Sequence, residues 1–121
     1  MEPDKKSQKR LSKKVFFRAI DKEGISVVLE KECWYGHILI YHNHQMMHRL
    51  HDIKTTIEDA DRIDESTEEG IKNRVYYKKW QDRDRYGNPF LLVATEIVEN
   101  NVARVLTAYP LFTLPSEGGQ K

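Results

Sequence analysis

The sequence predicts an α+β fold, with an N-terminal β-hairpin and one or two helices packed on a four-stranded antiparallel sheet. Three observations predict it. Near the start, two runs rich in β-branched and aromatic residues, VFFRAI (15–20) and ISVVLE (25–30), flank the turn-forming DKEG. Next, CWYGHILIYHNHQMMHRLHD (33–52) carries apolar residues at helical spacing. Finally, four strand-like runs fill 61–111, three of them closely joined, and short links between consecutive strands imply antiparallel neighbours.

Taken in order, residues 1–14 are polar, basic and aperiodic, and are expected to form a disordered basic arm ahead of a single α+β domain at 15–112. The hairpin opens that domain. Read at about 100° per residue, the next stretch places Ile38, Leu39, Met46, Met47, Leu50 and Ile53 on one broad apolar face. His37, His44, His48 and His51 gather opposite. His42 falls among Ile38, Met46 and Ile53, so an ionisable ring is expected on the side that packs. Gly36 weakens the first turn, and DIKTTIED (52–59) continues the helix or forms a second one after a bend. DRIDES (61–66) reads as a short edge strand and 67–70 as an acidic loop. The remaining strands are NRVYYKKW (73–80), FLLVATEIV (90–98) and VARVLTAYPL (102–111), with Gly87, Asn88 and Pro89 interrupting regular structure between the first two. Residues 113–121 are read as a C-terminal tail.

The chain of 121 residues is long enough for one core and short for two. With 32% charged and 39% hydrophobic residues, it has the composition of a globular domain with a well-solvated surface. No apolar run approaches the roughly 20 residues of a membrane span, so no membrane partner is expected. Cys33 is the only cysteine, which excludes an intramolecular disulfide and suits a reducing, cytoplasmic setting. A net charge of +1 conceals strong segregation: residues 1–18 and 72–85 are basic, while 52–69 is acidic. A basic face of that kind attracts phosphates.

Three constellations could carry chemistry. His44, His48 and His51 have the i, i+4 and i, i+3 spacing of helix-borne metal ligands, but Gln45 stands where a zinc protease has its glutamate, so no metal and no cofactor is expected. Cys33, four residues before His37, reads as a small buried side chain rather than a nucleophile. The third combines histidine with the sheet. Alternation in NRVYYKKW puts Arg74, Tyr76, Lys78 and Trp80 on one face, a cationic and aromatic surface suited to a phosphate and a stacked base. Alternation in VARVLTAY puts Thr107 and Tyr109 on the face of Ala103 and Val105, with Arg104 pointing the other way.

The order W-x-x-H-I (Trp34, His37, Ile38), a second histidine at His42, D-x-D-R-I (Asp59, Asp61 to Ile63), YYK (Tyr76 to Lys78) and TAYP (Thr107 to Pro110) resembles the phage-type branch of the barnase/EndoU/colicin/RelE (BECR-fold) nuclease superfamily. The resemblance spans roughly residues 34–110. It implies a helical part on a four-stranded antiparallel sheet and metal-independent endoribonuclease activity. It also implies toxin-like action on RNA restrained by an antitoxin or immunity protein. Carried over by motif, the catalytic residues would be His37 or His42, Lys78, and Thr107 or Tyr109, with Arg74 and Tyr76 binding substrate. Asn43 departs from the family pattern, which has proline after the second histidine. The alternative is a non-catalytic interaction or nucleic-acid-binding protein of the same fold. The catalytic version requires one geometric condition: an imidazole of the central helix, the Lys78 ammonium and the hydroxyls of Thr107 and Tyr109 must open onto the same hollow.

Overall fold

The computed structural model describes residue 11, residues 14–80 and residues 87–116; expectations for the basic arm at 1–10, 12 and 13, the turn at 81–86 and the tail at 117–121 lie outside the described residues. Six strands form one sheet: β1 (Val15–Ile20), β2 (Ser26–Glu30), β3 (Arg62–Glu68), β4 (Ile71–Lys79), β5 (Phe90–Glu99) and β6 (Val102–Leu111). Their order across it is β1-β2-β6-β5-β4-β3. The α+β class is as expected, but the four-stranded sheet is corrected to six strands. The hairpin does not pack on the sheet; it extends it, because β2 runs parallel to β6 through Ser26–Val102, Val27–Ala103 and Val28–Arg104. A pairing between strands so far apart in sequence leaves no mark on linker lengths, which report only consecutive strands.

Local chemistry sets the turns. Asp21 closes the β1–β2 turn by accepting hydrogen bonds at Oδ1 from the backbone N–H of Glu23 (2.8 Å) and of Ile25 (2.9 Å). Glu69 and Gly70, with φ of 52° and 79°, make the tight β3–β4 turn whose twist matches its strands. β3 extends through Glu68, so the first half of the expected acidic loop, Thr67 and Glu68, belongs to an edge strand.

Of the two alternatives, one long helix or two separated by a bend, the structure has the second, and the first of the two is itself irregular. α1 (Lys31–Cys33) passes directly into a π-helical stretch (Trp34–Ile38), followed by α2 (Leu39–Met46) and α3 (Leu50–Glu58). The wider π turn shifts the angular phase of all that follows, and His42 (φ −135°, ψ 31°) kinks α2 itself. Met47, expected on the apolar face, falls in the turn after α2 and is 50% exposed, while Ile38, Met46 and Ile53 are fully buried. In α3 the buried residues Ile53, Thr56 and Ile57 lie three and four apart, as one helical face requires. Among the described residues, no helix is long and apolar enough to cross a membrane.

The core sits between the helices and one face of the sheet. Trp34, Ile38, Met46, Ile53 and Ile57 cluster with Leu29, Tyr76, Leu91, Val93, Val105 and Ala108. We call this the inner face. Tyr77 and Leu92 are also buried yet lie outside that cluster, on the outer face.

Candidate functional site on the outer sheet face

Directly paired residues of neighbouring antiparallel strands project to the same side. The inner row Ile63, Tyr76, Val93, Ala108 therefore alternates with the outer row Arg62, Tyr77, Leu92, Tyr109. Lys78 pairs with Leu91, a core residue, and so lies on the inner face. There its ammonium meets the Oδ2 of Asp59 at 3.0 Å at the end of α3. Thr107 and Tyr109 lie on the outer face, opposite Ala94 and Leu92. The condition of one common hollow is not met with Lys78 in it: the sheet separates its ammonium from both hydroxyls.

Arg74 and Tyr76 share the inner face with Lys78, as alternation predicts, but they are structural. Arg74 is 3% exposed. Its NH2 donates to Asp21 Oδ2 (2.7 Å) and Glu23 Oε1 (2.8 Å), its NH1 to Glu65, and its Nε to the Tyr76 hydroxyl (3.1 Å). Tyr76 donates to Asp21 Oδ2 at 2.6 Å. Burial alone would raise the Asp21 pKa, but the Tyr76 hydroxyl, the two backbone N–H groups and Arg74 together hold it below 3.8. With so many partners in a dry setting, neither Arg74 nor Tyr76 is disposed to hold substrate.

The histidines fare differently. The His42 ring lies 5.0 Å from the Tyr109 ring, centroid to centroid, and the His37 ring 4.9 Å from that of Tyr41. Burial, and then the nearby charge of His37, lower the His42 pKa from 6.5, so its imidazole is neutral at neutral pH. The Thr107 hydroxyl oxygen is buried with no hydrogen-bond partner, an unusual state for a hydroxyl in a folded protein. Of the expected site residues, then, the structure gathers His42, Tyr109 and Thr107 toward the outer face with His37 close by. Lys78, Arg74 and Tyr76 are on the other side.

A β-bulge explains why Arg104 also belongs to this face. Thr95 pairs with Val105 and Ala94 with Thr107, which leaves Leu106 as an extra residue. That residue inverts the alternation. Ala103 and Val105 point inward, whereas Thr107 and Tyr109 join Arg104 outside, correcting the face expected from uninterrupted alternation. Arg104 is held there by Glu30, through Nε to Oε1 (3.0 Å) and NH2 to Oε2 (3.1 Å). Cys33 donates its thiol to the Leu106 carbonyl at 3.5 Å. Burial, reinforced by the charge of Glu30 and opposed by Arg104, pushes its pKa up to about 12, which keeps it an unreactive thiol at neutral pH.

Tyr77, Arg62 and Lys79 escaped the expected site, although simple alternation along YYKK already sets Tyr77 and Lys79 opposite Lys78. Arg62 lies over the Tyr77 ring, 5.3 Å from guanidinium carbon to centroid, and is clamped by Asp64 through two bonds of 3.0 Å. Among the described residues, no three His, Cys, Asp or Glu side chains gather as metal ligands; the His44 side chain lies outside the described ones. Compared with known proteins, the chain matches no family profile, no curated protein and no solved structure.

Proposed function

We propose that the chain is a small, metal-independent RNA-cleaving domain whose site is the outer face around His42, His37, Thr107 and Tyr109. The observation that supports this is the neutral His42 imidazole against Tyr109, with the unpaired Thr107 hydroxyl on the same sheet face. In this site a neutral imidazole takes the proton from a ribose 2′-hydroxyl, whose oxygen attacks the adjacent phosphorus. The bond from phosphorus to the 5′-oxygen breaks, and a protonated imidazole returns a proton to the departing oxygen. The two products are a 2′,3′-cyclic phosphate and a 5′-hydroxyl. Burial first, and then the nearby charge of His37, favours the neutral form of His42 that a general base requires. The Thr107 and Tyr109 hydroxyls donate to the phosphorane oxygens as charge builds on them. A cytoplasmic toxin with an inhibitory partner protein belongs to the same proposal, by resemblance of motifs.

The deciding experiment incubates the purified full chain with fluorescent single-stranded RNA in EDTA. Cleavage is expected, with His42→Ala and His37→Ala slowed on the order of 100-fold or more. Lys78→Ala is expected to cleave like the parent, the reverse of the prediction from sequence. Intact RNA, or histidine variants as active as the parent, would reject the proposal.

One observation favours nucleic-acid binding without turnover. Arg62 and Arg104, both on the outer face, are each paired with a carboxylate, Asp64 and Glu30. A complex with RNA that stays intact and weakens steeply with salt would identify that case.

A further inference from the structure

We propose that residues 112–116 form a strap across the outer face, latched by Arg62, and that single-stranded RNA reaches the His42–Tyr109 site by displacing it. This rests on the RNA reading of that site.

β6 ends at Leu111, paired with Phe90 of β5, yet four and five residues later the chain lies against the far edge strand. Arg62 of β3 donates from NH1 to the Pro115 carbonyl (3.0 Å) and from NH2 to the Ser116 carbonyl (3.2 Å). Between β6 and β3 lie β5 and β4. The Arg62 guanidinium lies over the Tyr77 ring of β4, so the segment, which bends at Phe112 and Thr113, has only two inter-strand spacings of about 10 Å to cross, within reach of five residues. It crosses on the outer side, because the guanidinium that holds it lies over the Tyr77 ring. Tyr77 and Leu92, which stand outside the helix-packed core, are nonetheless only 5% and 8% exposed, and Leu114 in the strap is itself half-buried. Since Arg62, Tyr77, Leu92 and Tyr109 form one row, the strap covers the ground next to the proposed site.

The latch is well placed to open. Asp64 and Tyr77 fix the guanidinium, while the strap contributes two neutral backbone carbonyls to it. Two such hydrogen bonds hold a segment closed by only about tenfold to a hundredfold. An RNA strand laid along the row would cover Tyr77 in the strap's place and offer the base faces that aromatic rings stack against.

Two readouts separate the latch from the RNA reading. The first is nitration of Tyr77 by tetranitromethane, mapped by mass spectrometry on the folded full chain. Tyr77 should be protected in the parent and modified in Arg62→Leu and in Leu114→Ser, which loosens the strap while leaving Arg62 intact. The second is affinity for a fluorescein-labelled oligoribonucleotide with 2′-fluoro sugars, which cannot be cleaved by 2′-hydroxyl attack. Both variants should bind about tenfold more tightly than the parent. Tyr77 protected in both folded variants would overturn the strap. Tyr77 uncovered with RNA affinity unchanged or weakened would overturn its gating of RNA. Tyr77 uncovered with no RNA bound by any form would reject the RNA reading itself, and the gating with it.

Discussion

At the scale of single residues, His42 shows how burial and a neighbouring charge hold an imidazole in its neutral form. Its folded pKa is below 6.5, so between that value and the folded one the unfolded chain binds a proton that the native chain does not. The stability linked to His42 is therefore complete above pH 6.5 and falls as pH drops toward the lowered pKa. The acid limb of the cleavage profile should likewise lie below 6.5, and a pH-rate series on parent and His37→Ala will show it moving upward in the variant. Thr107 gives a sharper separation of roles. Its hydroxyl lacks a partner, so Thr107→Val should leave the melting temperature unchanged or raised while RNA cleavage falls. Asp21 is the opposite kind of residue, buried to stabilise the fold. Its lowered pKa contributes stability above pH 3.8 that is lost as pH falls through the native value. Asp21→Asn leaves Arg74 without its buried partner and should cost about 3 kcal/mol or more in a denaturant titration at neutral pH.

At the scale of elements, the bulge at Leu106 and the π-helical stretch do the positioning. The first inverts the side-chain alternation of β6 so that Thr107 and Tyr109 face outward. The second, with the kink at His42, brings an imidazole to Tyr109 where a regular helix would have turned it toward Met46 and Ile53. Deleting Leu106 should remove the bulge and leave Val105 inside and Thr107 and Tyr109 outside, since those residues then alternate as direct neighbours. The expected result is a folded variant that loses the bond from the Cys33 thiol to the Leu106 carbonyl but keeps the His42–Tyr109 contact, seen as retained aromatic shifts of both rings by NMR. α3 anchors the inner layer through Ile53 and Ile57, and Ile57→Ala should cost about 2–5 kcal/mol by chemical denaturation.

At the scale of the whole molecule, two long-range ties close the fold. The parallel pairing of β2 with β6 joins the hairpin to the meander. The Asp21–Arg74–Tyr76 cluster then ties the hairpin turn to β4, and Lys22 adds a bond from its ammonium to the Ala60 carbonyl at 2.8 Å. The hairpin tip thus folds over α3. Arg74→Leu should therefore loosen the hairpin before the meander, which hydrogen exchange will register as faster opening of β1 than of β5.

Most of the strands were legible in the sequence because each is a local pattern. The β-branched runs of β1 and β6 match their observed limits, and the end-to-end pairing of β3 to β6 follows from short links. The sharing of one face by Arg74, Tyr76 and Lys78 was equally legible, since period-two alternation is a property of the strand alone. Which side of the sheet that face meets was not, because helices choose a side by burying apolar area contributed from the whole chain. The bulge was invisible for a related reason: an extra residue exists only relative to a partner strand. What the sequence by itself determined is the inventory of elements and the presence of histidine, threonine and tyrosine able to share a site. Tertiary structure alone decided that Lys78 stands across the sheet from them, that Arg74 is a buried tie, and that residues 112–116 cross the outer face, because these depend on contacts between residues distant in sequence.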